Sequence, residues 1–93
     1  MNKYESVIIV NSKLDEEIRQ AVVNKIEKFI KDNGILESRE NKGKKTLAYP
    51  IKDNTEAYYY IFNFETEADN IAELERIYKI TDEIIKFIVV KKD

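Results

Sequence analysis

The sequence contains no cysteine and no histidine. Without cysteine there is no disulfide, no thiolate nucleophile and no cysteine-ligated metal. Without histidine the chain lacks the commonest metal ligand and the side chain best suited to proton transfer near neutral pH. Its carboxylate pairs, such as Asp15 with Glu16, fit solvated acids on helices. We therefore predict a protein that is not an enzyme and that uses no metal or other cofactor.

Glycine, with two residues, and proline, with one, are also scarce among the 93 residues. This scarcity argues against disorder or a low-complexity linker, and we expect one domain over residues 1–93. No apolar run approaches the roughly 20 residues of a membrane span. The first five residues lead directly into a strand pattern without a signal-peptide core. These features predict a soluble, cytoplasmic domain with no membrane partner.

Positive charge is concentrated in one segment. Between Arg39 and Lys52 there are five cations and one acid, Glu40, so this segment carries +4. Because the whole chain carries −2, the remainder carries −6. A positive patch on an acidic protein indicates an anionic partner, and a solvated strand with scattered lysines fits the same residues.

The apolar periodicity predicts the element order β-α-β-β-α-β. Strands are expected at Tyr4–Val10, Ile35–Ile51, Glu56–Glu65 and Ile84–Lys91, and helices at Leu14–Asn33 and roughly Asp69–Lys79. The inner stripe of the first helix is expected at Leu14, Ile18, Val22, Ile26, Phe29 and Ile30.

Turn and cap residues mark the ends of these elements. Ser12 is the candidate N-cap of the first helix, and Gly34 is expected to end that helix in a left-handed conformation. A bulge or bend is expected at residues 41–43, and a hairpin turn at residues 52–54. Pro50 cannot donate to a strand ladder, which favours an edge position for the second strand.

Two helices cover only one face of a four-stranded sheet, and right-handed crossovers then favour a ferredoxin-like topology. We predict an α+β sandwich, a four-stranded antiparallel sheet with two helices on one face and the first and third strands central. The other face is expected to remain uncovered, bearing Val7, Ile9, Tyr59, Ile61, Ile88, Val90 and Lys86. An uncovered apolar face of this extent typically marks a partner site.

Several motifs occur at characteristic places along this order. They are Tyr4-Glu5, Asn11-x-x-Leu14-Asp15, Gly43-x-x-x-Leu47-Ala48-Tyr49-Pro50-Ile51, Ala72-Glu73-Leu74-Glu75-Arg76 and Val89-Val90-Lys91. With them the chain resembles, over essentially its whole length, bacterial ribosomal protein six of the small subunit. The resemblance implies a structural component of the small ribosomal subunit. It implies binding to the central domain of small-subunit ribosomal RNA and pairing with small-subunit ribosomal protein eighteen, without a small-molecule substrate. We expect a monomer outside the ribosome.

The resemblance also supplies candidate site residues. The basic start of the family falls on Lys3, the basic pair after its glycine on Lys44 and Lys45, and the cation of its last strand on Lys86. The full set predicted to bind RNA is Lys3, Lys42, Lys44, Lys45, Lys86 and Lys91. The set predicted to bind the protein partner is Val7, Ile9, Tyr49, Tyr59, Ile61 and Ile88. Lysine keeps the charge of arginine but not its bidentate fork, which weakens geometry-specific phosphate binding.

Two other functions use the same topology. An RNA-recognition module stacks single-stranded bases on strand aromatics, and Tyr59 is the candidate residue for that role. However, residues 55–60 lack the basic residue and the glycine of that module's signature. A regulatory or oligomerisation domain would dimerise through the open face. For the structural RNA-binding protein, the net charge of −2 argues against strong independent RNA binding, and a modest affinity raised by a basic companion fits better.

Overall fold

The computed structural model describes residues 1–92 and has the predicted element order. The elements are β1 (Asn2–Asn11), α1 (Glu16–Asn33), β2 (Gly34–Ile51), β3 (Asn54–Thr66), α2 (Asp69–Ile80) and β4 (Ile84–Lys92). All strand pairs are antiparallel, and the strand order is β2-β3-β1-β4. Strands β1 and β3 are therefore central, and the predicted ferredoxin-like α+β fold is confirmed.

The main core lies between the helices and one face of the sheet. Alternate residues of the central strands enter it, including Ile8 on β1 and Phe62 on β3, both fully buried. They pack with Ile26 of α1 and Leu74 of α2. The strands present their apolar residues to this core at period two, as the sequence predicted.

Helix α1 differs in detail from its prediction. It begins at Glu16, and its N-cap residue is Asp15 rather than the predicted Ser12. The Ser12 amide and hydroxyl both donate to Asn54 Oδ1, at 3.3 and 3.2 Å. These bonds tie the β1–α1 turn to the β2–β3 turn. Ile18 is 43% exposed and lies outside the inner stripe. Val23, which the predicted stripe omitted, is fully buried.

The two glycines serve different purposes. Gly34 is extended (φ −179°) rather than left-handed, and a Cβ there would clash with the Glu65 carbonyl oxygen. Its role is therefore to allow β2 to approach β3 closely. Gly43 has φ +79° and lies at a register shift between β2 and β3, which confirms the predicted bulge. Lys52 and Asp53 also have positive φ and form the predicted hairpin turn.

The second face of the sheet is partly covered by the chain itself. Pairing between β2 and β3 loses its register after Thr46 and resumes at Ile51. Leu47 and Ile51 pack there against a small cluster formed by Ile9, Ala57 and Ile85. Ile9 is consequently 6% exposed, and the expectation that it lies on an uncovered face is wrong. Sequence alternation predicts which face a residue takes but not what covers that face.

Candidate nucleic-acid and partner interface

The lysines predicted to bind RNA divide between two ends of the sheet. We call the end at the β2–β3 turn the hairpin end, and the end where β1 begins and β4 finishes the terminal end. Lys44, Lys45 and Lys86 lie at the hairpin end, whereas Lys3 and Lys91 lie at the terminal end. Lys86 is paired with Ile9, six residues along β1 from Lys3, so about 20 Å separates the two groups. The structure does not bring all of these lysines into one compact site.

Some of these cations are already paired with acids of the chain. Lys3 Nζ lies 3.7 Å from Glu37, and Lys42 Nζ lies 3.1 Å from Glu40. Lys44, Lys45, Lys86 and Lys91 are exposed and form no ion pair with another residue of the described range 1–92. At the hairpin end, the cations available to a partner therefore include Lys44, Lys45 and Lys86.

Arg39 belongs to the positive segment but serves the fold. Its guanidinium donates to Glu27 at 3.0 Å, to Asn24 at 2.8 Å and to Gln20 at 3.0 Å, all on α1. The hydrogen bonds from Arg39 and then from Lys31 hold the pKa of Glu27 below its ordinary value of 4.5. Arg39 thus docks β2 onto α1.

Two lysines that were not predicted to bind RNA also lie at the hairpin end. Lys52 occupies the β2–β3 turn, and Lys79 lies in the last turn of α2, shortly before β4 begins. Lys52 could have been included from the sequence, because it belongs to the positive segment. Lys79 carried no such signal, since a lysine in the last turn of a helix ordinarily complements the helix dipole.

Acidic residues moderate the positive charge of this end. Asp53 follows Lys52 in the turn, Glu56 lies early in β3, and Asp82 and Glu83 precede β4. The hairpin end therefore carries unpaired amines among carboxylates and is not a uniformly positive surface. An interface of this kind gives modest, strongly salt-dependent attraction for a polyanion.

An apolar strip crosses the middle of the uncovered sheet face. Ile61, Val7 and Ile88 are directly paired in register across β3, β1 and β4, and we call these three residues the apolar strip. Ile88 is 50% exposed, and the other two are half-buried. Tyr49, at 67% exposure, borders the strip from the hairpin end. Ile9 is buried beneath this surface. The other five predicted partner residues lie on it: Val7, Tyr49, Tyr59, Ile61 and Ile88.

A small pocket lies beside the strip, toward the hairpin end. It measures about 130 Å³, and its walls include Tyr49, Tyr59, Leu47 and Lys86. Tyr59 is half-buried and packs against the cluster around Ile9. This packing favours a tyrosine covered by protein over an open platform for stacking a base.

On the terminal side of the strip, polar and apolar side chains lie together. Asn63 donates to the Ser38 hydroxyl at 3.1 Å and accepts a hydrogen bond from Lys92 at 2.8 Å. These bonds connect β2, β3 and β4 across the uncovered face. On β4, Val90 is 50% exposed and is paired with Glu5, the partner of Asn63, so the apolar surface continues along β4 toward the terminal end.

Comparison with known proteins identifies the family. A family model described as "Ribosomal protein S6" matches residues 3–91. The chain belongs to this family. It is 42% identical to small ribosomal subunit protein bS6 of Symbiobacterium thermophilum, over 98% of this chain and 97% of that protein. It is 38% identical to bS6 of Clostridium novyi, over 100% and 99% of the two chains. The crystal structure of 30S ribosomal protein S6 from Thermotoga maritima matches with a TM-score of 0.94 and 31% identity, covering 98% of this chain and 87% of that one.

Family membership confirms the resemblance drawn from the sequence motifs. The family is structural and non-enzymatic, so the prediction that the chain is not an enzyme is also confirmed. Its role is that of a structural protein of the small ribosomal subunit. Among residues 1–92, no helix is long and apolar enough to cross a membrane. Within the same range, no cluster of acidic residues is arranged to hold a metal ion.

Proposed function

We propose that this chain is a cytoplasmic single-domain protein that binds the central domain of small-subunit ribosomal RNA together with small-subunit ribosomal protein eighteen. One observation carries the proposal: Lys44, Lys45 and Lys86, which form no ion pair within residues 1–92, lie together at the hairpin end, next to an exposed apolar surface. Cations next to an apolar strip suit a joint contact with RNA and a protein.

The lysine pair on β2 suits contact with the RNA backbone. In register, Lys45 is paired with Ala57 and Lys44 with Tyr58, so their side chains leave opposite faces of the hairpin. Ammonium groups act as point charges on phosphates and position the protein without reading base sequence. The neighbouring acids keep the intrinsic affinity modest, and a basic companion protein would raise it.

The remaining predicted RNA contacts are secondary in this proposal. Lys3 and Lys42 must exchange their pairings with Glu37 and Glu40 for phosphates, at low cost because exposed pairs contribute only about 0–1 kcal/mol. Lys91, at the terminal end, requires an RNA surface that spans about 20 Å of the sheet.

The protein partner is assigned to the apolar strip with Tyr49 and Tyr59. Ile88 and Tyr49 provide the exposed apolar area, and Val7, Tyr59 and Ile61 provide a packed floor. Desolvation of an aromatic anchor next to aliphatic groups is typical of the centre of a protein interface. We propose a monomer outside the ribosome, and a stable dimer in sedimentation would instead favour the oligomerisation alternative.

The RNA assignment is tested by a salt titration of the complex of this protein, small-subunit RNA and protein eighteen. Lys44→Ala with Lys45→Ala should weaken assembly and reduce the slope of log affinity against log salt by about one to two. The melting temperature should stay nearly unchanged, because exposed charges contribute little to folding. Lys28→Ala with Lys31→Ala, on the exposed part of α1, is the charge-matched control. Equal effects of the two double variants would remove Lys44 and Lys45 from the RNA site.

The partner assignment is tested without RNA. Ile88→Ser should weaken binding of protein eighteen about tenfold or more, because burying a serine there forfeits apolar contact. Ile18→Ser is the matched control, since Ile18 is 43% exposed on α1, which packs on the other face of the sheet. If Ile18→Ser weakens binding as much as Ile88→Ser, the partner does not bind the uncovered face.

A further inference from the structure

A pocket of about 280 Å³ lies at the outer edge of β4, where α2 ends. Its floor is formed by core residues, among them Tyr78, Ile84 and Ile85, which are buried. Three lysines line it, each from a different element: Lys52 from the β2–β3 turn, Lys79 from α2 and Lys86 from β4. We call this site the lysine pocket.

The three ammonium groups of the lysine pocket lack a counter-charge. None of them forms an ion pair within the described part of the chain, and no carboxylate lines the pocket. The nearest acids in sequence are Asp53, beside Lys52, and the Asp82–Glu83 pair, of which Glu83 lines a different pocket against α1. Three like charges around one concavity repel one another, and an anion bound between them relieves that repulsion.

The end of α2 would ordinarily disfavour an anion, because the last carbonyl groups of a helix carry partial negative charge. Here two of those carbonyls are already occupied. The Thr81 amide donates to the Tyr78 carbonyl at 3.3 Å, and the Thr81 hydroxyl donates to the Ile77 carbonyl at 2.6 Å. These bonds reduce the negative potential at the pocket.

Lys52 reaches the pocket because of the way the β2–β3 hairpin folds. Strand β2 is at the opposite edge of the sheet from β4. The residues before the turn fold over the uncovered face, where Leu47 and Ile51 pack against the cluster containing Ile85 of β4. This packing carries Lys52 across β1 to β4. The pocket is therefore built by tertiary contacts and is not a chance meeting of neighbours in sequence.

We propose that the lysine pocket binds a phosphate group, either a backbone phosphate of RNA or a free polyphosphate. Lysines from three different elements line the pocket, and ammonium groups are suitable donors to a tetrahedral oxyanion. The volume lies just below the range of about 300–1,000 Å³ typical of small-molecule sites, and it accommodates phosphate or pyrophosphate. The inference goes beyond the proposed function, since Lys52 and Lys79 are not among its residues, although Lys86 belongs to both sites.

The test uses pyrophosphate and the full chain, at constant ionic strength, with nuclear magnetic resonance detection of the lysine side chains. Shifts should concentrate at Lys52, Lys79 and Lys86. Lys52→Gln with Lys79→Gln should lower pyrophosphate affinity about tenfold or more, because charge-assisted hydrogen bonds are lost. Lys28→Gln with Lys31→Gln, which removes the same charge from α1, should leave the affinity unchanged.

Equal losses in the two double variants, or shifts spread evenly over the exposed lysines, would overturn the proposal and leave only general attraction. A second arm identifies the source of the phosphate. If small-subunit RNA displaces pyrophosphate, the ligand is the RNA backbone, and if both bind together, it is a free polyphosphate. If the Lys44→Ala, Lys45→Ala variant still binds pyrophosphate, the pocket is separate from the proposed RNA contacts of Lys44 and Lys45. The pocket proposal then stands even if the RNA assignment of these two lysines fails.

Discussion

Substitution by phenylalanine should have opposite effects on stability at two buried tyrosines. Tyr60 and Tyr78 are each 1% exposed, and both rings belong to the main core. The Tyr78 hydroxyl shares a hydrogen bond of 2.6 Å with the hydroxyl of Ser6, which is fully buried. The Tyr60 hydroxyl is buried and has no hydrogen-bond partner within residues 1–92. The rings contribute similar apolar burial, so the difference between them lies in the hydroxyl groups.

The magnitudes follow from the cost of an unpaired buried polar group, about 1–3 kcal/mol. Tyr78→Phe leaves the Ser6 hydroxyl buried without a partner and should lower the free energy of unfolding by that amount. Tyr60→Phe removes a group that has no partner, and should be neutral or stabilise the protein by about 1 kcal/mol. The two variants should therefore differ by about 2 kcal/mol, a large part of the roughly 5–14 kcal/mol expected for a domain of this size.

Urea unfolding followed by circular dichroism measures this difference. With a slope of about 1–3 kcal/mol per molar urea, the two midpoints should lie about 1 M apart. Ser6→Ala combined with Tyr78→Phe should cost less than the sum of the single changes, because the pair is removed together. If Tyr60→Phe destabilises as much as Tyr78→Phe, the Tyr60 hydroxyl is hydrogen-bonded in solution and the reasoning fails.

Burial raises the pKa of Tyr78 well above its ordinary value of 10.0, and the Ser6 hydrogen bond opposes this only in part. A raised pKa in the folded state means that the unfolded chain releases this proton first as the pH rises. The stability of the wild type should therefore fall above pH 10 relative to that of Tyr78→Phe, in parallel urea titrations. A constant difference between the two proteins from pH 9 to pH 11 would contradict the burial of the phenol.

Two further predictions concern the backbone and one ion pair. Gly34→Ala should cost about 3 kcal/mol, because its Cβ meets the Glu65 carbonyl, whereas Gly43→Ala should cost only about 1–2 kcal/mol for its positive φ. Equal urea midpoints for the two variants would contradict the close approach. Glu27→Gln should lower stability at neutral pH by about 0.5–1 kcal/mol through lost pairing with Arg39. This difference should vanish as the pH falls below 4.5 through the lowered pKa of Glu27, and a pH-independent difference would exclude the ion pair as its cause.

The sequence predicted the fold well because strand alternation is a local signal. Residues 58–64 of β3 alternate between the core and the uncovered face as their polarity suggests, and β4 places Phe87 against the core with Lys86 outside. Element ends were less well predicted. Ser12 is not the N-cap of α1: its amide and hydroxyl donate to Asn54, 42 residues away, and no local pattern indicates that contact.

The candidate site was predicted less completely, for two physical reasons. Charge counting treats every cation alike, but Arg39 is occupied by an acid of α1 that no local pattern connects with it. The division of the lysines into two ends could have been predicted, since antiparallel strands place the start of β1 beside the end of β4. The burial of Ile9 could not have been predicted from the sequence, because it depends on where Leu47 and Ile51 pack after the β2–β3 register is lost.

The two ends of the sheet differ in how their charges are satisfied, and this difference separates stability from binding. Toward the terminal end, Lys3 is paired with Glu37 and Lys92 donates a hydrogen bond to Asn63, whereas Lys91 forms no ion pair within residues 1–92. At the hairpin end, Lys44 and Lys45 form no ion pair with any residue of the described range 1–92. Since exposed ion pairs contribute only about 0–1 kcal/mol, leaving these lysines unpaired costs the fold little. Free charge at this end is therefore available to an anionic partner, and substitutions there should change binding while leaving unfolding almost untouched.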